Sequence, residues 1–354
     1  MQPYSGIRIL DLCHWLGSYA GRLFADLGAE VIRVEPPGGL PDRTRATPGA
    51  FAFLNASKAS VIAETLAEFQ ALAATADVIL LERDAPFWDQ AEALRDRFPK
   101  LVVTCCSPYG RTGPLADAPA SDLTVQAAGG IAWMSGHVGE PPLRLPYGQA
   151  AMVCGIYAAV ATAICLRDAE KRGRGHLIDV SGQEAIAHSL QNAIQVWDLE
   201  SRVSVRGGEG TRDASEDVFP CADGHVFFAS PPSIPAAWRA LIAWMDETGH
   251  PSGKALSAPE WSDQEWRKTE AAKSAFRDHF TAFVGSMTKA EIREQAMRRK
   301  MITAPVARFP DLPDDPQLQY RDFFTRVNGH RFPGAPYRFS EPVWSVSQAP
   351  ELSR

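Results

Sequence analysis

The residues able to do chemistry are few and dispersed. His14 stands three residues beyond an apolar run, 7–11 (IRILD), with the make-up of a buried strand. Open α/β sheets take their ligands beyond the carboxyl ends of their strands, so an imidazole at that place could line a ligand site. Its plainer roles are a cap or a packing histidine. Asp122 opens the run DLTVQAA, where a carboxylate can act on a substrate or simply N-cap a helix. Tyr147 and Gln149 could hydrogen-bond a carbonyl, although neither is a nucleophile. Cys154 sits in an apolar stretch, which favours packing over thiolate chemistry. No G-x-G-x-x-G follows the first strand, and no Walker loop, H-E-x-x-H or G-x-S-x-G occurs. No metal is expected.

The elements that must position these residues alternate in the first half. After the strand at 7–11, residues 19–27 place Ala20, Leu23, Phe24 and Leu27 on one helical face, and Gly28 ends it. Strands are expected at 31–34, 77–81, 101–105 and 177–180, and helices at 65–76, 86–98 and 184–199. This rhythm predicts βαβ units and a mostly parallel sheet covered on both faces. The uncharged run 149–166 reaches the lower length for a membrane span, but it is rich in Ala and ends on Arg167, Asp168, Glu170 and Lys171. A buried core helix is the expectation. Beyond residue 202 the texture changes. Residues 204–217, with Gly207, Gly208 and Gly210, suggest a mobile loop. A hairpin turning at Asp223-Gly224 follows, then helices near 238–245 and 269–284, a capping box from Thr288 to Glu291, and a Pro-rich extended return over 304–336. The expected division is a large Rossmann-like domain at 1–200, a linker at 201–217, a small α+β domain at 218–310 and a returning segment at 311–354.

With 354 residues, 36 Lys+Arg and 42 Asp+Glu, the chain carries a net charge of −6. An apolar fraction of 45% excludes a disordered chain, and the absence of a basic block argues against a nucleic-acid partner. The N-terminal segment has no signal-peptide pattern, and no membrane association is expected. Six scattered cysteines without a C-x-x-C suit reduced thiols in a cytoplasmic protein.

Seven blocks, in order, resemble the class III CoA-transferases (the CaiB/BaiF family): GIRILDLCHWLGSYAGRLFADLGAEVIRVEPP (6–37), LNASKAS (54–60), DVILLE (77–82), CCSPYGRTGP (105–114), ASDLTVQAAGG (120–130), RGRGHLIDVSGQEA (172–185) and DPQLQYRDFF (315–324). The resemblance implies a Rossmann-like large domain, a smaller domain and an interlocked dimer. It implies coenzyme A, as acyl-CoA, bound near the end of the first strand. His14, with the backbone at Leu16 and Gly17, matches positions at the CoA in relatives. Lys58 matches a lysine suited to the CoA phosphates, its alternative being a solvated loop residue, and Tyr109 and Gly110 match the loop before the acyl portion. The family's block after the 77–82 strand is altered to Arg83-Asp84, and prolines replace the basic residues after Glu35.

The family's nucleophilic Asp, which opens the long helix, is replaced by Ala151, and no Asp or Glu occurs between residues 141 and 167. A methyl group cannot form an acyl anhydride with a thioester or move a proton. The racemase branch's acid/base pair is also missing, since Ser121 stands where its histidine would. The resemblance therefore implies one of three things. The chain could be the subunit without the nucleophile in a heteromeric transferase, paired with an Asp-bearing relative and moving CoA between carboxylic acids. It could be a homodimeric acyl-CoA isomerase, lyase or hydratase, or a non-catalytic acyl-CoA-binding protein.

Overall fold

The computed structural model describes residues 2–137, 139–206, 212–231 and 233–353. The chain divides into two compact units, Met1–Ser204 with Pro316–Arg354, and Val205–Asp315.

The first unit is built on six parallel strands: β1 (Arg8–Asp11), β2 (Glu30–Glu35), β3 (Ala59–Ile62), β4 (Val78–Glu82), β5 (Val102–Ser107) and β6 (Leu177–Ser181). Their order is β3-β2-β1-β4-β5-β6. The chain thus winds outward from β1 in one direction, then returns to the other side at β4. The crevice between the ends of β1 and β4 is the switch point where such sheets bind ligands.

The strands' continuous apolar runs are explained by cover on both faces. One face packs Phe24 and Ala20 of α1 (Ser18–Asp26) with Cys154, Ala158 and Leu166, which lie further along the chain. The other packs Phe69 of α2 (Leu66–Ala73) and Leu94 of α3 (Ala91–Arg97). The expected helix at 86–98 begins only at Ala91, after a 3₁₀ turn over Trp88–Gln90. The edge strand β3 escapes sequence patterning because its four residues, ASVI, are short and only half buried.

Two further helices lead to the functional region, α4 (Asp122–Ala128) and α5 (Gln149–Arg172). α5 is long and apolar enough by composition to cross a membrane. In this unit it packs on α1, α4, β5 and β6, while Ile156, Val160 and Ile164 leave an exposed apolar stripe at four-residue spacing. The helix expected at 184–199 is two, α6 (Gly182–Ser189) and α7 (Gln191–Glu200). They separate at Leu190, whose N–H bonds Ala187 O in a tighter turn.

The second unit carries an antiparallel sheet of β7 (Asp217–Cys221), β8 (Gly224–Ala229) and β9 (Ile302–Pro305). Cys221 pairs with Gly224, so Ala222 and Asp223 form the turn, one residue before the expected pair. Helices α8 (Pro235–Glu247), α9 (Glu270–Val284) and α10 (Lys289–Arg299) accompany it, and Phe219, Phe228, Phe276 and Phe280 form an aromatic core. The Thr288–Glu291 capping box opens α10. Of the polar stretch expected to be mobile, residues 207–211 lie outside the described residues. Asp213 and Ser215, by contrast, are buried, because Asp213 pairs at 2.6 Å with the buried Arg267. In the returning segment a hairpin, β10 (Phe324–Val327) and β11 (His330–Pro333), replaces a purely extended path.

Candidate active site at the β1/β4 switch point

The loop His14–Gly17 leaves β1 and enters α1, and a single buried carboxylate shapes it. Glu82, the last residue of β4, accepts hydrogen bonds at Oε2 from the N–H groups of His14 (3.3 Å), Trp15 (3.1 Å) and Gly17 (3.0 Å). The Leu16 amide is not among them. Glu82 is 1% exposed, and burial raises its carboxyl above the ordinary value against the opposing His14 charge and these amides. Its Oε1 lies 3.6 Å from His14 Nδ1 without a hydrogen bond, and His14 Nε2, also buried, has none. Gly17 is required by close approach: a Cβ there would stand 2.4 Å from Cys13 Sγ. Leu16 points its side chain fully into the core. The sequence-predicted His14, Leu16 and Gly17 thus form one loop, whereas Glu82, which organises it, was read only as part of an altered block.

Beside this loop lies a cavity of about 270 Å³ lined by Trp15, Arg83, Asp84, Pro108, Asp117 and residues 118–120. Arg83 reaches Asp117 at 2.9 Å across its rim. The neighbouring Tyr109-Gly110 turn is held by Gly110 N–H donating to Ser107 Oγ and by Arg111 N–H donating to Asp179. Arg111 also grips Glu92 with one guanidinium nitrogen and stacks on Trp88.

Trp15 links the loop to the start of α5, packing with Val125, Ala150 and Ile186. Here the structure corrects the role expected for Asp122. Ser121 is the N-cap of α4, and Asp122, one residue on, caps α5 instead. Its Oδ1 accepts from Ala150 N (3.1 Å) and Ala151 N (3.4 Å), and its Oδ2 accepts from Gln126 Nε2. Gln126 in turn holds both polar atoms of the Leu145 backbone. Tyr147 and Gly148 both adopt positive φ to make the turn into α5. Ala151, in the first turn of α5, is 6% exposed with its methyl in the core. Cys154 is fully buried one turn further on, as packing predicts.

Lys58 lies apart from these groups. Its ammonium is buried and bonded to Asp11 Oδ2 (2.7 Å), Ser18 O (2.9 Å) and Asn55 Oδ1 (3.1 Å). Burial pulls its pKa below the ordinary lysine value, with Asp11 opposing. All three donors are therefore used inside the fold, and neither the surface loop nor a phosphate contact describes them. Arg33, Glu35, Asp42 and Arg43 extend the network below β2. Among the described residues no cluster of His, Cys, Asp or Glu suits a metal ion.

The family model described as CoA-transferase family III matches residues 4–354. The chain is 35% identical to succinyl-CoA:(R)-benzylsuccinate CoA-transferase subunit BbsE of Thauera aromatica, over 99% of this chain and 92% of that one. It is 28% identical to the succinyl-CoA–L-malate CoA-transferase alpha subunit of Chloroflexus aurantiacus, covering 92% and 79% respectively. A crystal structure of a CaiB/BaiF family protein from Brucella suis superposes with a TM-score of 0.88 at 22% identity, over 99% of this chain and 96% of that one, and so shares the fold. The chain belongs to CoA-transferase family III.

Proposed function

We propose that this protein binds acyl-CoA at the β1/β4 switch point and is the subunit without the nucleophilic carboxylate in a heteromeric CoA-transferase that moves CoA between carboxylic acids. One observation carries the reading. Ala151 offers a methyl group where the reaction needs a carboxylate, and the carboxylate beside it, Asp122, is committed to capping α5. A partner bearing the Asp would supply the nucleophile that opens the thioester. This chain would supply the His14–Gly17 loop and the cavity beside it. The Thauera and Chloroflexus relatives, whose names each describe a subunit, support a heteromer. The exposed stripe of Ile156, Val160 and Ile164 supports an obligate dimer, as does an apolar cavity of about 290 Å³ lined by Trp133, Leu190, Ile194 and Trp197. Such surface on a single chain is explained by a partner that covers it, in keeping with an interlocked dimer.

Native mass spectrometry of the protein isolated from its own cells, with CoA added, tests the proposal. A heterodimer with an Asp-bearing relative is expected, and transferase activity should reside in the pair. A homodimer carrying CoA would overturn it and direct the search to isomerase or lyase chemistry.

A further inference from the structure

We propose that His14 donates a hydrogen bond from Nε2 to the carbonyl oxygen of a bound acyl thioester, and that Glu82 is the positioning residue that keeps a proton available for it. The inference rests on the acyl-CoA reading above and assigns a role within that site.

The argument begins with two orphaned atoms. Buried polar atoms without partners are uncommon, and here two occur in one pair, Glu82 Oε1 and His14 Nε2. They flank the 3.6 Å gap between Glu82 Oε1 and His14 Nδ1, at the switch point of the sheet. Three arrangements put a proton in that gap, and two of them belong to the pair that holds one proton more. Glu82 can carry it and donate to Nδ1, or imidazolium can carry it and donate to Oε1. In both arrangements Nε2 bears hydrogen and becomes a donor that lacks an acceptor. In the state with one proton fewer, neutral His14 turns Nδ1–H toward Glu82 and Nε2 can only accept. A ligand that presents an oxygen to Nε2 therefore favours the proton-loaded pair, and its binding draws a proton from solution. The Leu16 N–H, which Glu82 leaves untaken, is in the same loop.

The other charged groups around the pair are already matched. Asp11 is bound to Lys58, Arg33 to Asp42, and Arg83 to Asp117. The Cys13 thiol is pushed up to about 12, chiefly by burial, and stays neutral. Glu82 Oε1 and His14 Nε2 are thus left without partners at the loop. No covalent bond to His14 is involved: the donor polarises the thioester carbonyl and stabilises negative charge on its oxygen, while the attacking carboxylate comes from elsewhere.

The test is calorimetric titration of the full-length protein, in the assembly in which it is isolated, with acetyl-CoA and with free CoA. Each titration is run in buffers of different ionisation enthalpy, so that protons taken up are counted. Free CoA carries the same phosphates and lacks the carbonyl, so the difference between the two ligands is the readout. Acetyl-CoA should take up more protons than CoA, with a difference of up to about one per site. His14→Phe keeps the three amide bonds to Glu82; it should abolish the difference in proton uptake and weaken acetyl-CoA roughly ten-fold more than it weakens free CoA. Glu82→Gln can still accept those amides and should keep binding while losing the difference. Equal uptake for the two ligands, or a difference that survives in either variant, overturns the role of the pair alone. Failure of the unaltered protein to bind either ligand overturns the acyl-CoA reading itself.

Discussion

Placing a carboxylate at position 151 is the sharpest test of the proposed function. In Ala151→Asp the new side chain would project from the first turn of α5, where the helix dipole favours a negative charge by about 0.5 kcal/mol. It would also enter a largely buried place next to Asp122, whose Oδ1 already lies 3.4 Å from the Ala151 amide. Two carboxylates about 5 Å apart at an effective dielectric near 20 repel by about 3 kcal/mol, which exceeds the dipole term. The new carboxyl is therefore held protonated above the ordinary range and becomes a nucleophile only as pH rises. Incubated with succinyl-CoA, Ala151→Asp should gain the mass of enzyme-bound acyl or CoA, in an adduct that hydroxylamine removes. Adding Asp122→Asn retains an acceptor for the two amides but deletes the repulsion, so adduct formation should begin about two pH units lower. Intact-protein mass spectrometry across about pH 5 to 9 follows both variants. If both fold, bind CoA and form no adduct anywhere in that range, the proposal that a carboxylate at position 151 would act as the nucleophile is refuted.

Three further outcomes are expected. Lys58→Met leaves the buried Asp11 charge uncompensated and should cost about 3–5 kcal/mol in urea unfolding, with partial recovery on adding Asp11→Asn; a loss of CoA affinity in the folded variant without that destabilisation would instead mark a ligand contact. Replacing Val160 and Ile164 together by Glu on the exposed stripe of α5 should shift native mass spectra toward single chains with little change in chain stability; an unchanged assembly would place the interface elsewhere. Glu35 is held at about 2 in the folded chain, where burial alone would raise it, by hydrogen bonds from Arg43 and the charge of Arg33. A depressed carboxyl stabilises the fold above its unfolded value of 4.5, so about 3 kcal/mol should disappear as pH falls from about 5 to about 2, and Glu35→Gln should flatten that part of the curve.

The legible parts of the fold were those in which one chemical pattern decided the element. The apolar strands of the parallel sheet, the Thr288–Glu291 cap and the long Ala-rich helix all fall where their residue types require. Elements whose stability comes from distant partners were not legible. The edge strand Ala59–Ile62 exists because β2 offers it hydrogen bonds, and Asp213 is drawn into the second unit by Arg267, 54 residues away.

The same distinction runs through the candidate site. His14, Leu16 and Gly17 are contiguous, so a loop beyond a strand could be inferred from order alone. Asp122 was recognised as a carboxylate at a helix start, but the helix it caps begins 27 residues later, and only the folded chain shows which one. Lys58 was read as a contact for CoA phosphates or as a solvated loop residue; the partners that bury it, Asp11 and Ser18, lie 47 and 40 residues away in the chain. Glu82 is the clearest case. It closes a run of four apolar residues, where a carboxylate should have signalled a specific buried partner, and that partner is a set of amides 65–68 residues away. A charged residue kept at the buried end of a central strand must be matched or neutralised. At this switch point the groups that match it are the amides of the loop that follows β1, so one buried side chain fixes the shape of that loop.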